Sequence, residues 1–208
     1  MHNKSVSTEI KDFCSQLDTG TINAKTLLNK VQIAQIDFFW HPLGFIIGTY
    51  LNNGREKIRI HIWPKDGGKK QLPYWNIHDH IFDLKSWVLK GEITNIEYDV
   101  INDNSSTKCF YDVKYIENQS LMTKSEQHIS YKISKKETYA EGEIYTIDAG
   151  IFHTSEKTNI GNALTVVLSI NTDIKTPKVI GEEEGENSYQ YNRNKVDSSY
   201  IKELINEF

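Results

Sequence analysis

Three histidines carry the clearest chemistry in this chain. His78 and His80 flank Asp79, and His153 lies far downstream, three residues after Gly150. In an extended segment alternate side chains share a face, so His78 and His80 project together, about 6–7 Å apart at Cα. One cation can take both. Imidazole nitrogen suits iron, zinc, copper and nickel, and three neutral protein ligands with open positions make a catalytic rather than a structural metal site. His153 is the candidate third ligand. It follows an extended run, Glu143–Ile147, rich in β-branched and aromatic residues, and the Gly150 turn places it where the next strand begins. His128, ahead of the strand-like run Ile129–Ile133, is the substitute should His153 face away.

Other side chains are candidates for the same cavity. In Lys57–Trp63, Ile58, Ile60 and Ile62 share one face while Arg59, His61 and Trp63 share the other, and one of these faces must look inward. The fixed fork of Arg59 suits a carboxylate or phosphate of a substrate, and His61 is positioned to move a proton. Asp83 is read either as an acceptor that orients a ligand imidazole or as a residue that caps nearby backbone. Trp63, Tyr98 and Tyr145 supply aromatic walls, as substrate contacts or as plain core. His2 and His41 are read as incidental. The chain has no Gly-rich phosphate loop before a helix, no Gly-x-Ser-x-Gly elbow and no Cys-x-x-Cys pair.

The elements that must position these residues are mostly strands. Residues 7–36 read as two helices: Ile10, Phe13 and Leu17 recur at helical spacing up to Asp18-Thr19-Gly20, and Thr21 is suited to cap a second helix to about Ile36. They are expected to pack across an open end of a barrel or to make a homodimer contact. From residue 39 the pattern turns to strands. Residues 43–51 and 57–63 form a hairpin about Asn53-Gly54. Further strands are expected near 85–90, 93–101, 108–117, 127–133, 142–148 and 163–170, with 93–101 pairing 108–117. Short strands between turns indicate an all-β sandwich or barrel. Gly181–Ser188 reads as an acidic loop, and Asp197 caps a closing helix that carries Ile201, Leu204 and Ile205. The expected organisation is one domain, with a helical segment over 1–38, a barrel over 39–176, and a loop and helix over 177–208.

Gly142, Gly150 and His153 fall at the spacing of the second cupin motif, with Asp148 in place of its Pro and Lys157 in place of its Asn. His78, His80 and Gly91 fall on the first motif, whose Glu is missing, Leu84 and Lys85 standing at its two places and Asp83, the nearest carboxylate, being the candidate to substitute for it. Over roughly residues 45–175 the chain thus resembles the cupins. The resemblance implies a double-stranded β-helix, or jelly-roll barrel, and a three-His centre similar to that of cysteine dioxygenase-like cupins, which bind Fe(II). Zinc, nickel and manganese are the alternatives. The chain departs from cysteine dioxygenase where substrate is chosen: residues 45–50 contain no Arg, and the family's cross-linked Cys is absent. Arg59 would then take the carboxylate, and the substrate need not be a thiol.

Composition narrows the class. At 208 residues the chain suits one domain, and 24 Lys and Arg against 28 Asp and Glu set up no field that draws nucleic acid or an anionic membrane. Two distant cysteines, Cys14 and Cys109, argue for free thiols in a reducing compartment, and no signal-like apolar run opens the sequence, so a soluble cytoplasmic protein is expected. The leading functional expectation is a non-heme iron dioxygenase acting on a small polar or amino-acid-like substrate with O2. A metal-dependent isomerase or lyase and a non-catalytic small-molecule-binding protein are the alternatives.

Overall fold

A computed structural model describes residues 2–208. The side chain of His2 lies outside the described set. Helices α1 (His2–Asp18) and α2 (Ala24–Ala34) precede the strands, and α3 (Ser198–Asn206) follows them. The strands are β1 (Phe38–Trp40), β2 (Leu43–Gly44), β3 (Ile46–Asn52), β4 (Glu56–Trp63), β5 (Lys69–Lys70), β6 (Phe82–Lys90), β7 (Glu92–Asn102), β8 (Lys108–Ile116), β9 (Gln119–Ala140), β10 (Ile144–Ile147), β11 (Phe152–Lys157), β12 (Ala163–Asn171), β13 (Lys178–Glu182) and β14 (Ser188–Asn192).

Two antiparallel sheets form the body, ordered β1-β3-β4-β12-β6-β10 and β11-β7-β9-β8-β13, with β14 added to β9 and a short β2-β5 ribbon apart. This is the all-β, two-sheet barrel with terminal helices expected from the sequence. The chain crosses between the sheets at β6 to β7, β9 to β10, β10 to β11, β11 to β12 and β12 to β13. Gly91 makes the first crossing with φ +78, and a Cβ there would lie 2.7 Å from that of Ala163.

Alternation along β4 decides which face is which. Ile58, Ile60 and Ile62 are fully buried on the outer face, where Leu27, Val31 and Ile10 of the first two helices and Ile201 and Leu204 of α3 cover them. Burial of each such side chain contributes about 1.5–3 kcal/mol. The helices therefore cover the outside of the first sheet rather than an open barrel end, because an isoleucine face exposed on a sheet needs a layer over it. Arg59, His61 and Trp63 are left to face inward.

Several local expectations give way to pairing. The second helix is capped by Asn23, whose side chain accepts from Thr26 N–H, not by Thr21. Residues 93–101 do not pair with 108–117. The 22-residue β9 lies between them, its first half on β8 and its second half on β7. The acidic segment shrinks to residues 183–187, since β13 joins β8 and β14 joins β9 on either side of it. Cys14 and Cys109 are free thiols. Among the described residues no helix is long and apolar enough to cross a membrane.

Candidate metal centre

His78 and His80 do not lie on a regular strand. Ile77–Asp79 is instead an extended insert held by isolated bridges from His78 to His153 on one side and to Val179 on the other. Main-chain bonds fix it: His78 N–H donates to His153 C=O, His153 N–H donates back to His78 C=O, and Ile180 N–H donates to Ile77 C=O. The insert thus joins β11 to β13 at the margins of the second sheet. Asp79, between the two histidines, turns away and accepts from Lys178 N–H. Burial pushes its carboxyl up to about 6. On the other segment, Gly150 (φ +82) turns the chain after Asp148 and delivers His153 to the start of β11.

One candidate nitrogen from each of His78, His80 and His153 lies within 4.8 Å of the others. The ring centroids are 4.7–4.8 Å apart. His78 Nδ1 donates to Asn76 C=O at 2.8 Å and His153 Nδ1 donates to Ile151 C=O at 2.9 Å, which leaves each Nε2 with its lone pair. His80 stacks on Phe82, and its Nδ1 is buried without a hydrogen-bond partner. Burial lowers the pKa of all three rings, that of His153 to about 3, so they are neutral at pH 7. Neutral imidazoles converging with free lone pairs and one orphaned nitrogen are a donor set that fits a divalent transition metal.

Beside the cluster opens a cavity of about 270 Å³ between the two sheets. It brings together most of the residues chosen from the sequence. Arg59, His61 and Trp63 reach it from β4, Tyr145 from β10, and His153 from β11. His61 Nε2 is buried with no partner, and burial, with Arg59 adding to it, lowers its pKa to about 3. Trp63 Nε1 donates to Thr165 Oγ1. Tyr145 stacks on Tyr139 at 4.8 Å. A narrower pocket of about 80 Å³ meets this cavity at His41, Leu43, His78, His80, Tyr115 and Arg193.

Three candidates are elsewhere. Asp83 shares the outward parity of Lys85 on β6, while Phe82 and Leu84 line the cavity, and its carboxylate accepts from Ala149 N–H at 2.9 Å. It holds the turn before His153 and touches none of the histidine rings. Tyr98 lies on the face of β7 turned from His153, its ring among Ile77, Phe110, Ile129 and Ile180 and its hydroxyl 3.5 Å from Thr154 Oγ1. His128 also stands apart, 3.5 Å from Glu183.

Among the described residues that reach the cavity without having been singled out are three with basic side chains. Lys57 shares the inward parity of Arg59 and His61, a signal present in the strand pattern. His41 was read as incidental, yet it lines both pockets, accepts from Leu43 N–H through Nδ1 and stacks on Phe45 at 4.2 Å. Arg193, just beyond β14, arrives only through the chain's return across the barrel mouth.

No family model matches the chain, and no curated protein matches it. Among solved structures it is similar to a cupin superfamily protein from Desulfitobacterium hafniense (TM-score 0.34, 8% identity, 64% of this chain and 82% of that one). It is similar also to Peruvianin-I, a cysteine peptidase from Thevetia peruviana latex (TM-score 0.37, 14% identity, 66% and 68%), and to the Cnp3 cupin domain of Schizosaccharomyces pombe (TM-score 0.32, 5% identity, 61% of each). None of these likenesses is high enough to assign a family.

Proposed function

We propose that the chain is a cupin-type metalloenzyme in which His78, His80 and His153 hold a divalent ion, most consistently Fe(II), and the adjoining cavity admits a small polar substrate for dioxygenation. The observation that carries this reading is the state of the donors. Three imidazoles are neutral through burial, and two have Nδ1 tied to main-chain carbonyls so that Nε2 faces a ligand. When bound, iron held by three neutral imidazoles would keep its full charge and would supply the redox chemistry that couples a substrate to O2.

The chain's own residues do the rest. Arg59 offers a fork of donors to an acidic group of the substrate, and Phe82 and Trp63 exclude water from the space beside the cluster. His61 presents a neutral imidazole to the bound molecule. Burial holds its pKa well below the ordinary value, so it stays uncharged at pH 7. Soluble cytoplasmic placement and a small-molecule partner belong to the same proposal.

The test is elemental analysis of protein purified without chelator or nickel resin, beside His153→Ala, followed by O2 uptake against a panel of small acids. Near-stoichiometric iron, lost in the variant, is the expected result. Bound zinc, nickel or manganese would favour the isomerase or lyase reading, and no metal at all a binding protein.

A further inference from the structure

Three cations face the cavity beside the histidines: Lys57 and Arg59 on the inward face of β4, and Arg193 beyond β14. Among the described residues Glu117 is the one carboxylate that lines the same space. Among the described residues none of the three cations takes part in an ion pair. Arg59 lies over the ring of Phe82 at 4.7 Å and Arg193 over that of Tyr115 at 5.1 Å, while Arg193 Nε is buried without a hydrogen-bond partner.

The charges also act on one another. Burial first, then Arg59 and Arg193, lowers the pKa of Lys57, and burial with Arg193 lowers that of Arg59 to about 10. Partly desolvated like charges with no ion-pair partner are costly to hold, and an anion that enters relieves both the repulsion and the orphaned Nε of Arg193. Among the described residues, three cations against one carboxylate leave this lining with an excess of two positive charges. A volume of about 270 Å³ lies just below the usual range of ligand pockets and suits a small molecule.

We propose that this cavity binds a small organic dianion, one acidic group held by Arg59 and Lys57 and the second by Arg193. The inference rests on reading the cavity as the substrate chamber, and it names the class of substrate for the reaction proposed above. Guanidinium forks take carboxylate and phosphate alike through paired N–H donors, so dicarboxylates and phosphomonoesters share the recognising chemistry.

The experiment is calorimetric titration of metal-free protein at low salt with succinate, glutarate, glycerol 3-phosphate and acetate. The expected result is saturable binding of one or more dianions, with acetate weaker by at least about tenfold. The preferred dianion then distinguishes the dicarboxylate from the phosphate source. Arg59→Gln and Arg193→Gln should each weaken the dianion roughly thirtyfold or more, since each leaves a buried acidic group short of its partner. Arg193→Lys should lose less, and it stands in should Arg193→Gln not fold, while Lys57→Met should weaken the dianion as well.

Absence of dianion binding to the wild type, acetate binding as tight as the dianions, or Arg variants that bind like wild type would overturn the inference. His153→Ala separates it from the metal reading. Metal lost with dianion binding kept supports both, and metal kept with dianion binding kept removes the metal reading alone. Metal held by the wild type without dianion binding removes the inference alone.

Discussion

His78 and His153 are a hydrogen-bonded antiparallel pair: His78 N–H donates to His153 C=O at 3.2 Å, and His153 N–H donates to His78 C=O at 2.9 Å. Residues opposed in this way present their side chains to one side, with Cα atoms about 5.5 Å apart. The main chain, not the imidazoles, therefore brings the two segments together, and His80 follows because it is two residues on.

Replacing the rings should consequently spare the fold and abolish the site. His78→Ala, His80→Ala and His153→Ala should each fold and each weaken metal binding beyond the roughly 10–100-fold that loss of an outer-shell partner costs. Competition titration with a chromophoric chelator measures this. Wild-type affinity in any one variant would remove that residue from the site.

Asp83→Ala should behave in the opposite way. Its carboxylate accepts from Ala149 N–H and does not contact the histidine rings, so metal stoichiometry should stay unchanged while stability falls by about 1–2 kcal/mol. Denaturant unfolding together with metal analysis tests both halves, and a lost metal at undiminished stability would return Asp83 to the centre.

Ile60→Ala should destabilise by about 2–5 kcal/mol, because the side chain is fully buried between the first sheet and the helices and its loss leaves a cavity there. Metal binding by the folded fraction should persist. A change under about 1 kcal/mol would mean that the helical layer collapses onto the gap.

Stability of the metal-free protein should fall as pH is lowered from 7 to 5. His61 and His153 have folded pKa values of about 3 against about 6.5 for an unperturbed ring, so between these limits the unfolded chain binds more protons and acid favours it. Burial depresses His41, His78 and His80 in the same direction. Asp79, raised to about 6, opposes them between about 4 and 6 as a single group. The net slope should be on the order of 1 kcal/mol per pH unit or more, lost in the acid direction. Urea midpoints at pH 5, 6 and 7 check the sign, and a midpoint that rises toward pH 5 would contradict buried neutral histidines.

Much of the site was legible because strand alternation is a strict local code. The isoleucines at 58, 60 and 62 mark one face of β4, so Arg59, His61 and Trp63 had to share the other, and Lys57 belonged with them by the same count. Asp83 was harder. Its neighbourhood to His80 in sequence suggested contact, but the parity of β6 sends it to the opposite face from Phe82 and Leu84. Tyr98 failed for a related reason, since β7 turns its ring toward Phe110 and Ile129 rather than toward His153.

By itself the sequence determined the mostly β fold, the hairpin at Asn53-Gly54, the three histidines and the glycines that turn the chain beside them. These depend on side-chain periodicity and on local backbone freedom, which act over a few residues. Only the tertiary structure decided that the helices cover the first sheet's outer face, that β9 separates β7 from β8, and that His41 and Arg193 meet at the cavity mouth. Those relationships join segments far apart in the chain, and which pairing forms is settled by the whole set of faces that must be buried together, not by any one of them.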